Sequence, residues 1–223
     1  GCKLKEQKIE PKGFDLMFGN PPWMKITWRD TSLLSEYEPL LGVRDSKSAK
    51  YNKERPKLLE NEEHKLNYKN NFTIEEGVRV FLNDRTLYPA LAGVQTNLYK
   101  NFIEHSWGLL KGDGIVGLLH PEGIFDDPNG GDFRYQYYQR LRSHFQLKNE
   151  LILFADVDHH MAFSINIYQG DPDVINFKAI FNLFSPATIE QCYQKRQSNL
   201  VIPGIKTNSG QWETLGHYQR LIN

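Results

Sequence analysis

Short apolar runs alternate along this chain with segments whose apolar residues recur at helical spacing. Phe14, Leu16, Met17 and Phe18 make the first run, closed by Gly19, and predict a buried strand over 14–18. Residues 29–75 break the pattern. Within them "RDSKSAKYNKERPKLLENEEHKLNYKNN" is dense in charge and poor in branched apolar side chains, which predicts an exposed helical or partly disordered insertion. From Thr96 onward, Leu98, Phe102, Ile103, Trp107 and Leu110 share one helical face, with Thr96 or Asn97 as the cap and 111–114 as the stop and turn. "IVGLLH" (115–120) reads as a strand buried on both faces, and "PEGIFDD" (121–127) as the loop at its end. A second amphipathic helix is predicted over 133–146. Strands follow over 151–156 and 163–170, joined by "VDHHMA", with a last strand over 174–184. The order strand, insertion, helix, strand, helix, strand, strand is α/β.

The length, 223 residues, suits one domain or one domain with an appendage. Lys plus Arg equals Asp plus Glu at 27 each, so overall charge argues for neither nucleic acid nor membrane. The two cysteines, Cys2 and Cys192, have no metal-ligand spacing and suggest no disulfide framework. No apolar run approaches the roughly 18 residues of a membrane span, and no signal peptide opens the chain. A cytoplasmic protein is the expectation. Gly1 in place of Met suggests a processed or excised chain.

The chemistry concentrates in Asn20-Pro21-Pro22-Trp23, directly after the first strand. Two prolines cannot continue a ladder, so the strand stops and Asn20 sits on a rigid turn at its C-terminal end, where ligands bind in open α/β sheets. The Asn20 amide can accept one hydrogen of a planar amino group, and the carbonyl between the prolines has a fixed direction. Trp23 supplies a stacking face beside them. Such acceptors ready an exocyclic amine for attack on an electrophilic carbon.

"GFDLMFGNPPW" resembles the catalytic motif of amino-group methyltransferases that use S-adenosylmethionine, of which the adenine-specific DNA methyltransferases are the largest class. "NLYKNFIEHSWGLLKGDGIVGLLHPEGIF", "LILFADVDHHMAFSINIY" and "VIPGIKTNSGQWETLGH" resemble, in order, later segments of the large enzymes of restriction-modification and phage-defence type. The resemblance implies a Rossmann-like sheet, with 1–184 as a partial catalytic domain, an insertion at about 29–94, and 185–223 leading toward a target-recognition region. It implies methyl transfer to adenine in double-stranded DNA with the base flipped out of the duplex, and other defence-system subunits as partners. Asn20 and the Pro21 carbonyl would hold the amine, with Pro22 fixing the turn. Trp23 would stack on the base and Phe163 would close its other face. Asn20 would also touch the cofactor, and Asn97, with Tyr99, would lie near it.

The family needs a glycine-rich loop after its first strand and an acid after its second. Neither is present: "KGDGIVG" precedes a strand, and "PNGGDF" follows the wrong one. The chain therefore reads as the C-terminal half of the catalytic domain. A protein-glutamine or RNA-base methyltransferase, or a non-catalytic DNA-binding or assembly module, are the alternatives. Other features have plainer readings. His159 and His160 are adjacent and would point apart on an extended chain, so they are a loop and not a metal pair. Asp126, Asp127 and Asp132 are turn formers around Pro128. Lys47, Lys50, Lys53, Arg55 and Lys57 are a solvated face, since acids follow at Glu60, Glu62 and Glu63.

Overall fold

The computed structural model describes residues 13–43, 48–194 and 211. Its centre is a five-stranded mixed sheet in the order β1-β2-β4-β3-β5, so the α/β expectation holds. The strands are β1 (Phe14–Gly19), β2 (Leu110–Pro121), β3 (Leu141–Lys148), β4 (Ala162–Gln169) and β5 (Lys178–Leu183). β1 and β2 are parallel, as are β3 and β5, while β4 runs antiparallel between β2 and β3.

β1 is where the sequence indicated, but it is not buried. Alternation turns Met17 onto the main core and leaves Phe14, Leu16 and Phe18 together on the other face, 57%, 63% and 84% exposed. Among the described residues only β2 pairs with β1, so its outer edge is free. β2 begins earlier than expected and takes in 111–114, which were read as a turn. Its glycines permit close backbone approach: a Cβ on Gly114 would stand 2.5 Å from the Phe14 carbonyl oxygen. The same stretch holds the turn after β4, through Gly170 N–H to Gly114 O at 3.0 Å.

The helices are α1 (Asp30–Tyr37), α2 (Pro39–Val43), α3 (Ser48–Leu58), α4 (Glu62–Leu82), α5 (Leu98–Leu109), α6 (Gly123–Asp126), α7 (Gly131–Arg140) and α8 (Ala187–Gln194). The charged insertion is helical and has a small core of its own, Leu34, Leu41 and Tyr51. Asn61 caps α4 by accepting from Glu63 and His64 N–H. Lys50, Lys53 and Lys57 are exposed, as a solvated face would be, but Arg55 turns in to pair with Asp30 of α1, 13% exposed; Lys47 lies outside the described residues. Trp28 ties this unit to the strand-end loop, edge-on to Tyr68 and Phe72.

The helix expected over 133–146 is α7 followed by a strand. From 141 onward the buried positions include Leu141, Ser143, Phe145 and Leu147, a two-residue period that suits β3 in the middle of the sheet. Pairing on both edges there outweighs local helix propensity. The strand expected over 151–156 is absent. Leu151, Ile152 and Leu153 are exposed, and Ile152 has φ of 50°. Asn149 causes this. Its buried amide donates to the Phe154 and Val157 carbonyls and accepts from Phe154 N–H, which curls the segment into a loop. The segment 121–127, expected as a loop, contains the single-turn α6. β4 matches the predicted strand over 163–170 shifted by one residue, and β5 falls within the last predicted strand but is shorter than expected. α8 occupies 187–194 of the expected linker, and Cys192 on it is exposed. No helix among the described residues is long and apolar enough to cross a membrane.

Candidate functional site

Gly19 pairs with Leu118, so Asn20 to Trp23 leave the sheet at the C-terminal ends of β1 and β2. Pro21 is buried, while Asn20 and Pro22 are exposed. The Asn20 amide makes no hydrogen bond to another described residue. Trp23 is partly buried. Its Nε1 donates to Leu119 O at 3.3 Å, and its ring lies 5.9 Å from Phe163 and 5.6 Å from Phe154.

Trp23 stands on a cleft of about 700 Å³. Lys25, Arg29, Asn97 and Tyr99 line one part of it, and Asp158 and Met161 of the loop before β4 line another. Asn20, Pro21 and Pro22 face a different cleft of about 310 Å³, with Met17, Phe18, Phe102 and His105. The two clefts share no lining residue, and the tetrapeptide contributes Trp23 to one and Asn20, Pro21 and Pro22 to the other.

The resemblance set Phe163 against the other face of a base. It does not stand there. Phe163 is 2% exposed and touches Trp23 directly, and a centroid spacing of 5.9 Å leaves no room for an intervening ring. Its place at the start of β4 turns it inward, between Leu147 and Trp23, so it backs the indole. Asn97 is likewise away from Asn20, on the Trp23 cleft. It occupies the cap position of α5 without a side-chain capping bond, and its Oδ1 is buried without a partner among the described residues. Its backbone does the pinning: Lys25 bridges to Asn97, and Leu98 N–H donates to Met24 O at 3.0 Å.

Tyr99 lies beneath, 1% exposed and stacked on His120. Burial pushes its hydroxyl pKa far up, and the carboxylates of Glu122 and Asp127 add to this. Lys100 and Asp127 form a buried ion pair at 2.7 Å, their side chains 6% and 9% exposed. Burial works to raise the Asp127 pKa, but Lys100 and the Asn129 N–H outweigh it and hold the carboxyl below its ordinary value. Asp127 is thus a turn former and an ion-pair partner at once. Asp126, its neighbour, lines the groove beside α6, and Asp132 opens α7.

Behind this wall runs a buried polar network. His120 Nδ1 bonds Pro121 O at 2.9 Å, so Nε2 accepts from Tyr168 OH at 2.6 Å and from Asn166 Nδ2 at 2.9 Å. Asn166 Oδ1 accepts from Tyr137 OH and from His144 Nδ1. Sequence reasoning missed this network, and it missed Lys25 and Arg29 at the cleft and Phe154 behind Trp23. Phe154 had a signal, an aromatic in an apolar run, but the run was assigned to a strand. Among the described residues no three His, Cys, Asp or Glu side chains could hold a metal ion.

No family model and no curated protein matches the chain. Solved structures do. The methyltransferase subunit of a type I restriction-modification system from Streptococcus thermophilus shares 14% identity at a TM-score of 0.42, over 88% of this chain and 35% of that one. A DrdV–DNA complex solved by cryo-electron microscopy shares 13% identity at 0.39, over 75% and 14%. A chain designated a class I S-adenosylmethionine-dependent methyltransferase from Listeria monocytogenes shares 17% identity at 0.29, over 40% and 28%. The chain spans 35% or less of the length of each of these structures.

Proposed function

We propose that this chain is the amine-holding half of a methyltransferase acting on the exocyclic nitrogen of adenine in DNA. One observation carries the reading: the rigid Asn20-Pro21-Pro22-Trp23 turn at a parallel strand end, with an unengaged amide on one side and a ring on an open cleft on the other. Asn20 Oδ1 and the Pro21 carbonyl accept the two amine hydrogens, which turns the nitrogen lone pair out of the ring plane. Trp23, backed by Phe163 and Phe154, offers its free face to the base. At about 700 Å³ the cleft lies within the size range of small-ligand sites. Lys25 and Arg29 on its rim suit the phosphates flanking a nucleotide drawn out of a duplex.

S-adenosylmethionine supplies the methyl group in this reading. The smaller cleft beside Asn20 is mostly apolar, and its lining includes no acid for ribose hydroxyls. The residues present fit the amine and not the cofactor, so no step is derived through it. We therefore read the chain as the C-terminal half of the catalytic sheet, with the cofactor loop on polypeptide outside this sequence. The free, apolar edge of β1 supports this. That no cofactor cradle stands among the described residues also favours a second reading, a DNA-binding module that never methylates.

The test has two arms. Calorimetric titration of this chain with S-adenosylmethionine shows no micromolar binding, and such binding would sink the half-sheet reading. In a polypeptide that carries both halves, methyl transfer to DNA adenine is present and Asn20→Ala removes most of it. Transfer absent before mutation supports the module, and transfer unaffected by the mutation refutes the amine role.

A further inference from the structure

A groove of about 470 Å³ lies apart from both clefts, between α6, α7, β3 and β5. Phe125, Tyr138, Phe177 and Phe181 form its walls, and Glu122, His144 and Gln146 its polar end. Glu122 Oε2 accepts from Gln146 Nε2 at 2.9 Å. The other oxygen, Oε1, is buried with no close hydrogen-bond partner among the described residues. His144 Nδ1 bonds Asn166 Oδ1 at 2.7 Å. Its Nε2, on a residue 1% exposed, stands 3.5 Å from Glu122 Oε2, and Ser164 also neighbours the carboxylate.

The polar end is therefore centred on a carboxylate, which only accepts. Burial works to raise the Glu122 pKa, but the neighbouring His144, Ser164 and Gln146 outweigh it, and the carboxyl lies below its ordinary value. Asp126 adds a second carboxylate to the lining, and no Lys or Arg lines the groove. An anion would meet the like charge of Glu122 and Asp126, and a neutral acceptor brings no hydrogen to either carboxylate. A cation bearing N–H groups complements the Glu122 side chain, which is 15% exposed, and aromatic faces attract cations.

We propose that this groove binds a small organic cation with N–H donors, an amidinium or alkylammonium compound, through Glu122 and the surrounding rings. At about 470 Å³ the space suits a free small molecule. Benzamidinium and its neutral counterpart benzamide are a matched pair of probes, read by calorimetry on the full chain. Benzamidinium binds saturably, and benzamide binds at least about tenfold more weakly, since a charge-assisted bond is lost. Glu122→Gln weakens benzamidinium by about the same factor. Phe181→Ala also weakens it. Phe181 is 52% exposed, so that variant keeps the test sound if Glu122→Gln does not fold. Equal affinity for the two probes, benzamidinium binding unchanged in a folded variant, or no saturable binding at all would each overturn the proposal. A capped Gly-Arg-Gly peptide binding tighter than benzamidinium would overturn the assignment to a free ligand, since it would place a partner protein's side chain there.

Discussion

His120 makes the fold sensitive to acid in a way that one substitution isolates. The ring is fully buried, and its Nε2 accepts from two donors while Nδ1 bonds Pro121 O. A proton on Nε2 would meet the hydrogens of Tyr168 and Asn166 head on. Burial lowers the His120 pKa from 6.5 to about 4; the bond to Pro121 and the Glu122 charge act against this, and His144 acts with it. Between these values the unfolded chain binds a proton that the native chain refuses. Stability from this group is therefore complete above about pH 6.5 and is lost as pH falls toward about 4. Linkage puts the loss at about 2 kcal/mol by about pH 5. His120→Gln keeps an acceptor and a donor but no titration. Urea unfolding of both proteins at about pH 7.5 and about pH 5 measures the difference, with the wild type losing about 2 kcal/mol more than the variant. Parallel loss in the two proteins would refute the argument, because other groups would then carry the acid sensitivity.

Further predictions concern the site and its supports. In a polypeptide with a working cofactor site, Asn20→Ala lowers the methylation rate by about 100- to 1,000-fold, the cost of a lost preorganised acceptor. Its urea midpoint stays unchanged, because Asn20 is exposed and supports no described neighbour. Trp23→Ala weakens binding of duplex DNA with a mispaired adenine by about 1–3 kcal/mol in a fluorescence anisotropy titration, while Trp23→Phe retains most affinity. Equal affinity of Trp23→Ala and wild type rules out stacking. Asp127→Asn strands the Lys100 ammonium, 6% exposed, and costs about 3–5 kcal/mol in thermal or urea unfolding. A loss within the scatter of surface substitutions, about 0.5 kcal/mol, would mean that water reaches the pair.

The parts that could be read from sequence were those governed by local chemistry. Two prolines after Gly19 dictated where β1 stops, and apolar spacing from Leu98 to Trp107 dictated α5. Alternation could not separate α7 from β3, because Tyr137, Tyr138 and Leu141 continue a helical face into residues that only cross-strand pairing makes a strand. "LILFAD" misled for the opposite reason. Its apolarity suggested a strand, and a single polar residue outside it, Asn149, folds it back. The cleft was half legible. Trp23 and the loop before β4 share it, yet Lys25 and Asn97 reach it through a bridge between segments 72 residues apart. The polar network is not readable at all in one dimension. Ser164 and Asn166 in a strand look like its solvent face, and only the rings of Tyr137, His144 and His120 above them make them interior.

The exposed flank of β1 also governs how this chain behaves at high concentration. Phe14, Leu16 and Phe18 form an oily ridge along a backbone whose outward N–H and C=O groups meet no described strand. Asp15, tied to Lys111, is the single charge within it. A short, greasy edge with one charged residue is a template for strand addition between molecules. Preparations of the isolated chain therefore gain intermolecular sheet as they are concentrated, visible as a rising amide I band at low wavenumber. A lysine at position 16 would interrupt the ridge and keep the molecules apart.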